Sequence, residues 1–295
     1  MKKKVALAST LTASTLTAGI AVVNQWTKKV LYREHLERNQ VDDWYKECHG
    51  EKIKIKNHKA MVLQAYLFES PNASRTVIGV HGLKNSAYDL RDMVTYLRTL
   101  FGDVNVLLYD CNAHGLSDGY IRGLGYRDVM DLMYFNTYVL QRYGQDHRVI
   151  MYGQGTGANT ILNASGLGKL KNVDMILSEG AYDNAYRYLS TLCQRELKVS
   201  HMICGPMIRK IVKKELKLDL KKMDTVSMVK KNTIPTVYVH SKEDKNVTFQ
   251  SVFPLYNHDS SNKLLFPIKQ DYLYECQDFD GEYMGYLTEF IKEVL

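Results

Sequence analysis

The segment Arg148 to Thr160, RVIMYGQGTGANT, constrains this chain more than any other. Val149 to Tyr152 is a short apolar run of the kind that forms a buried central strand. Gly153, Gly155 and Gly157 follow at every second position, and Ala158 to Leu162 then reads as the start of a helix. Strand, tight glycine turn and helix in that order form the setting in which G-x-S-x-G presents a nucleophile at the apex of a strained turn. Here the apex is Gly155, which has no side chain. Glycine enters such backbone conformations without penalty, so the turn can persist when the nucleophile is gone. The same letters fit G-x-G-x-x-A from Gly153 to Ala158, a dinucleotide fingerprint, with Glu179 near the expected place of a ribose-binding acid.

The rest of the pattern separates these two readings. Ile53 and Ile55, then Val62 to Phe68, alternate as a hairpin around Asn57-His58. Short apolar strands are expected at Thr76–Val80, Val104–Tyr109, Val173–Leu177, Thr236–Val239 and Leu264–Phe266. Helices are expected at Tyr126–Tyr143 and Gly281–Val294. Such alternation predicts a mostly parallel, doubly wound sheet flanked by helices. A dinucleotide turn normally follows the first strand of its unit, whereas this one lies mid-sheet, which weighs against that reading. The segment 183–231 interrupts the alternation. Its apolar residues Ile203, Met207, Ile211 and Val212 predict one helix face, and lysines cover the remainder. It is expected to form a helical cap over the C-terminal ends of the strands.

Three further segments complete the pattern. Gly79-Val80-His81-Gly82 closes one strand, Asp110 to Gly119 (DCNAHGLSDG) closes the next, and Val239 to Val247 closes the strand after the cap. Together with the glycine turn, in this order, they resemble the α/β-hydrolase family, and most of all bacterial, N-terminally anchored members of its esterase and peptidase-like branch. The resemblance covers roughly Glu51 to Leu295. It implies an α/β-hydrolase fold with a cap insertion at 183–231, and oxyanion-hole amides from Leu83 and Thr156. It also implies triad positions at Gly155, Asp244 and, in the loop after the last strand, approximately Asp271. His81 and His114 become pocket candidates, although their usual role in the family is structural.

Measured against that family, the serine is missing and no histidine follows the last strand; His258 precedes it. Asn112 stands where the family usually carries arginine. Triad groups act as a unit, and losing either the serine or the histidine costs on the order of 10⁶ in turnover. The expected function is therefore a hydrolase by ancestry that binds a small molecule or protein without cleaving it. The alternatives are an active esterase-like hydrolase with an unconventional nucleophile or base, and a dinucleotide-binding protein. Thr156 sits beside the empty apex but should project away from it. Asp244 with Asp271 could hold a cation, though solvated loop acids are the commoner outcome. No metal, cofactor or nucleic-acid partner is expected.

Composition adds little to this. The five cysteines have no C-x-x-C pair, so neither a zinc site nor a disulfide framework is indicated. Residues 1–27 combine a basic start, Lys2 to Lys4, with an uncharged stretch. They are expected to be a signal peptide or membrane anchor holding the folded part outside the cytoplasm, with 28–50 as a helical connector. The alternative is a cytoplasmic protein with an ordinary N-terminal helix. Lys28, Lys29 and Arg33 beyond the stretch weaken the orientation argument. The net charge of +7 and the basic cap make an anionic membrane surface a candidate partner.

Overall fold

The computed structural model describes residues 19–33, 43–276 and 282–295. Eight strands form one sheet: β1 (Glu51–Lys56), β2 (Val62–Phe68), β3 (Arg75–Val80), β4 (Val104–Tyr109), β5 (Arg148–Gln154), β6 (Val173–Glu179), β7 (Thr236–Ser241) and β8 (Lys263–Ile268). Their spatial order is β1-β2-β4-β3-β5-β6-β7-β8. The β1–β2 hairpin is antiparallel, β2 runs antiparallel to β4, and every other pairing is parallel. The α-helices among the described residues are α1 (19–31), α2 (Trp44–Glu47), α3 (Asp92–Phe101), α4 (Val129–Tyr143), α5 (Thr156–Gly166), α6 (Ala185–Leu197), α7 (His201–Leu216), α8 (Thr225–Val229), α9 (Val252–His258) and α10 (Glu282–Val294).

Strand residues of alternating parity feed two separate cores, as the two-residue side-chain period requires. Ile150 and Tyr152 of β5 join the layer under α3 and α10, with Leu97, Leu287 and Ile291. Val149 and Met151 join the opposite layer under α4, α5 and α9, with Phe135, Ile161 and Leu255. Both faces of the central strands are covered, which is why they read as continuous apolar runs.

A third core lies outside the sheet. Val23, Trp26, Val30 and Leu31 of α1 are buried against Leu189, Leu192 and Cys193 of α6 and Ile208, Val212 and Leu216 of α7. The uncharged stretch that suggests an anchor is thus divided: residues 19–27 form part of a helix packed on the cap, and residues 1–18 lie outside the described residues. Of the connector 28–50, residues 28–31 continue α1 and 34–42 lie outside the described residues. Among the described residues no helix is long and apolar enough to cross a membrane.

The cap differs from expectation in two respects. Its buried stripe on α7 is Cys204, Ile208, Val212 and Leu216, whereas Ile203 faces solvent. An i, i+4 ladder is visible in the sequence, but which of two neighbouring ladders turns inward depends on the partner helix. The insertion is also shorter than 183–231. α8 packs on α5 as part of the main layer, where the Met228 carbonyl lies 2.3 Å from where a Cβ on Gly166 would stand.

Candidate functional site

The turn after β5 has the geometry its sequence predicts. Gly155 has φ 53° and ψ −115°, and its amide donates to the Glu179 carbonyl at 2.8 Å. The three glycines have different reasons to be there. A Cβ on Gly153 would stand 2.6 Å from the Ala158 nitrogen, and one on Gly157 only 2.0 Å from the Val80 carbonyl oxygen. Gly153 must be glycine because the first turn of α5 folds back over it, and Gly157 because α5 passes against the end of β3. At Gly155 the nearest neighbour of an added Cβ is the Gly82 Cα at 3.9 Å. The apex is therefore open, and only its backbone angles disfavour a side chain.

Next to it, reached through Gly82 and Gln154, is a cavity of about 190 Å³ lined by Gly82, Leu83, Lys84, Asn85, Gln154, Asn246 and Tyr272 and by Tyr188, Leu192 and Glu196 of α6. None of these residues is Ser, Cys or His. A larger cleft of about 460 Å³, lined in part by Glu69, Asn105 and Tyr143, lies at the N-terminal ends of the strands, remote from the turn. Ligands of open parallel sheets bind beyond the carboxyl ends of the strands, which makes the smaller cavity the candidate site.

Leu83 lines this cavity, and Thr156 opens α5, so its N–H has no acceptor within the helix. Both predicted oxyanion positions are thus placed around the apex. The Thr156 side chain is 7% exposed and its Cγ2 lies toward Gly125, away from the cavity. Asp244 Oδ2 lies 3.5 Å, and the Gly155 nitrogen 3.9 Å, from where a Cβ on Gly180 would stand. Its Oδ1 accepts the amides of Asn246 at 2.6 Å and Val247 at 2.9 Å, which fixes the carboxylate in its own loop. The nearby His240 is fully buried. Its Nε2 donates to the Val247 carbonyl at 2.9 Å and stands 3.8 Å from Asp244 Oδ2, and burial lowers its pKa. Its Nε2 thus holds the loop, while its Nδ1 is buried without a hydrogen-bond partner.

Asp271 is exposed, and its amide donates to the Glu275 carboxylate at 3.1 Å. The neighbouring Tyr272 lines the cavity instead. His81 and His114 do not line it. The His81 Nε2 accepts from the Cys111 amide at 3.0 Å, which leaves Nδ1–H to donate to the Gly82 carbonyl at 2.8 Å. His114 packs edge-on against it at 4.9 Å. Burial holds both rings neutral, His81 at a pKa of about 4. They brace the backbone behind the turn. Asp110 has the same role, accepting the amides of Ala87 and Leu116, each at 2.8 Å.

Three features escape a reading of the sequence. Glu179, the acid considered for a ribose, is buried and unavailable to one. Its oxygens accept from the Tyr152 hydroxyl at 2.5 Å and the Leu273 amide at 2.7 Å, and desolvation pushes its pKa up to about 7. This carboxyl ties the loop bearing Tyr272 to the sheet. Gln154 lies directly across from Glu179 in the β5–β6 register and also lines the cavity. Trp26 of α1 donates its indole N–H to Glu196 at 2.6 Å, so the N-terminal helix touches a cavity residue. No short motif marks any of these contacts. Among the described residues no three His, Cys, Asp or Glu side chains gather to hold a metal ion.

No family model matches the chain, and no curated protein matches it in sequence. Solved structures do match. An esterase of Pyrococcus furiosus superposes with a TM-score of 0.67 at 18% identity, over 86% of this chain and 96% of that one. A Butyrivibrio proteoclasticus protein with ferulic acid bound gives 0.60 at 16%, over 82% and 98%. An acetyl xylan esterase from Paenibacillus gives 0.58 at 15%, over 92% and 99%. With the strand order and the turn at Gly155, these likenesses show that the chain has the α/β-hydrolase fold.

Proposed function

We propose that this protein uses the cavity next to Gly155 to hold a small ligand without hydrolysing it. The observation that supports this most is the apex itself, which is open to a side chain and supplied with none. Covalent acyl transfer needs a nucleophile with a base in hydrogen-bond reach. The cavity offers neither serine, cysteine nor histidine, and Asp244 has no imidazole to orient. Its aromatic candidates are poorly suited as replacements, because burial raises the pKa of both Tyr188 and Tyr272. The cavity suits a compact ligand with an acceptor oxygen for the amides at Leu83 and Thr156 and an apolar part for Leu192 and the two tyrosines.

A second reading, hydrolysis of a carboxylic ester through an unconventional nucleophile, is favoured by a different observation: the superposed structures include esterases of P. furiosus and Paenibacillus. Fold likeness at this identity does not carry chemistry with it. The two readings separate on a fluorophosphonate probe and a panel of p-nitrophenyl esters applied to the purified protein. The expected result is no labelling and no turnover above a Gly155→Leu control, which fills the cavity. Labelling that disappears in Thr156→Ala or Tyr272→Phe would replace the first reading by the second.

A further inference from the structure

We propose that the outer face of the cap, formed by α7 and residues 19–22 of α1, docks on a bilayer of anionic lipid. This goes beyond the function of the cavity and does not depend on it. Between Ala185 and Asp224 the chain carries ten Lys and Arg against four Asp and Glu, a net +6 of the whole chain's +7. All four acids have partners within the protein. Glu196 accepts from Trp26, Glu215 from the Tyr32 hydroxyl at 2.5 Å, Asp219 from Arg209 at 2.6 Å and 2.7 Å, and Asp224 caps α8 through the Val226 amide. The lysines are left to face outward.

Their arrangement on α7 is that of an interfacial helix. With Cys204, Ile208, Val212 and Leu216 turned inward, the opposite face presents Met202 and Ile203, then Lys210, Lys213, Lys214 and Lys217. Met202 is 76% exposed and Ile203 46%. The bonds from Trp26 to the end of α6 and from Tyr32 to the end of α7 set the direction of α1. Residues 19–22 therefore lie toward the α6–α7 connection, where they add Ile20 and Val22, both nearly half exposed. Apolar side chains at one end and lysines along the rest of one outward face match a surface with a hydrocarbon layer beneath anionic headgroups. A nucleic acid would reward the lysines but leave the four apolar residues in water.

The test is flotation of the purified full chain with vesicles of phosphatidylglycerol and phosphatidylcholine in equal parts, compared with phosphatidylcholine alone. Binding is expected only to the anionic vesicles and should weaken at high salt. Each lysine near such a surface is worth about fivefold in partitioning, so Lys210→Gln/Lys213→Gln/Lys214→Gln should weaken binding about 100-fold. Met202→Asp/Ile203→Asp should weaken it as well. These positions are exposed, so unchanged thermal melts will show that each variant is folded. Wild-type flotation by the lysine variant, or equal flotation with phosphatidylcholine alone, overturns the proposal. So does duplex DNA binding as tight as vesicle binding with Met202 and Ile203 irrelevant to both.

Discussion

Replacing Gly157 by alanine should cost this protein far more than replacing Gly155 by serine, although both lie in the same turn. At Gly157 the added Cβ meets backbone alone: the Val80 oxygen at 2.0 Å, the Val80 carbonyl carbon at 2.6 Å and the His81 oxygen at 2.7 Å. Relief requires α5 to move more than 1 Å from β3, a strand bonded to β4 and β5 on its two sides. Overpacking of this kind costs about 3 kcal/mol or more. At Gly155 no atom lies closer than 3.9 Å, and the cost is conformational. A serine held at φ 53°, ψ −115° pays about 1–3 kcal/mol, offset by about 0.4–1 kcal/mol from the stiffer unfolded chain. For a chain of this size each kcal/mol moves the melting temperature by about 2 °C. Thermal and urea melts of the purified variants should therefore show a loss of about 6 °C or more for Gly157→Ala and about 0–5 °C for Gly155→Ser. Equal losses, or a larger loss at Gly155, would refute the claim that the apex alone is sterically free.

Three further outcomes are expected. Gly155→Ser by itself should remain without esterase turnover on p-nitrophenyl acetate, because no imidazole faces it. Adding Tyr272→His, at the residue that lines the cavity, should give more turnover than adding Asp271→His, and spectrophotometric rates will rank the two. Glu179 is held at a pKa of about 7 against 4.5 in the unfolded chain, so the native state keeps a proton that the unfolded state has lost. Its contribution to stability falls as pH rises from about 4.5 to 7, by at most about 3 kcal/mol, then levels off. Denaturant melts across that range should show a flatter profile for Glu179→Gln than for the wild type, which also carries Asp110 and Asp128 raised by burial to about 6 and 7. Trp26→Ala removes a 7% exposed side chain from the cap core and should cost about 3 kcal/mol, with earlier proteolysis of α6 and α7 in a limited trypsin digest.

Much of the sheet was legible because buried parallel strands must be continuously apolar and their ends are marked by glycine or histidine-glycine. Boundaries at Val104–Tyr109 and Val62–Phe68 agree to the residue. The cap was harder to read. Its helices bury one stripe each, and the phase of the stripe on α7 is set by α1 and α6 packed beside it, not by the helix's own sequence. The rim of the cavity was hardest. Asp271 and Tyr272 are adjacent in sequence, and a tether between Glu179 and the Leu273 amide, ninety-four residues apart, decides which of them faces inward.

The order of residues alone determined that a strand would turn sharply at Gly153 to Gly157 and that no hydroxyl or thiol would stand at the apex, since composition at a turn is local. Only the tertiary structure decided why each glycine is there, that His81, His114 and His240 each turn one ring nitrogen to a backbone carbonyl (Gly82, Asn112 and Val247), and that residues 19–31 pack on the cap. Those outcomes depend on which distant groups compete for the same hydrogen bonds and the same volume, and that competition begins only when the chain has folded.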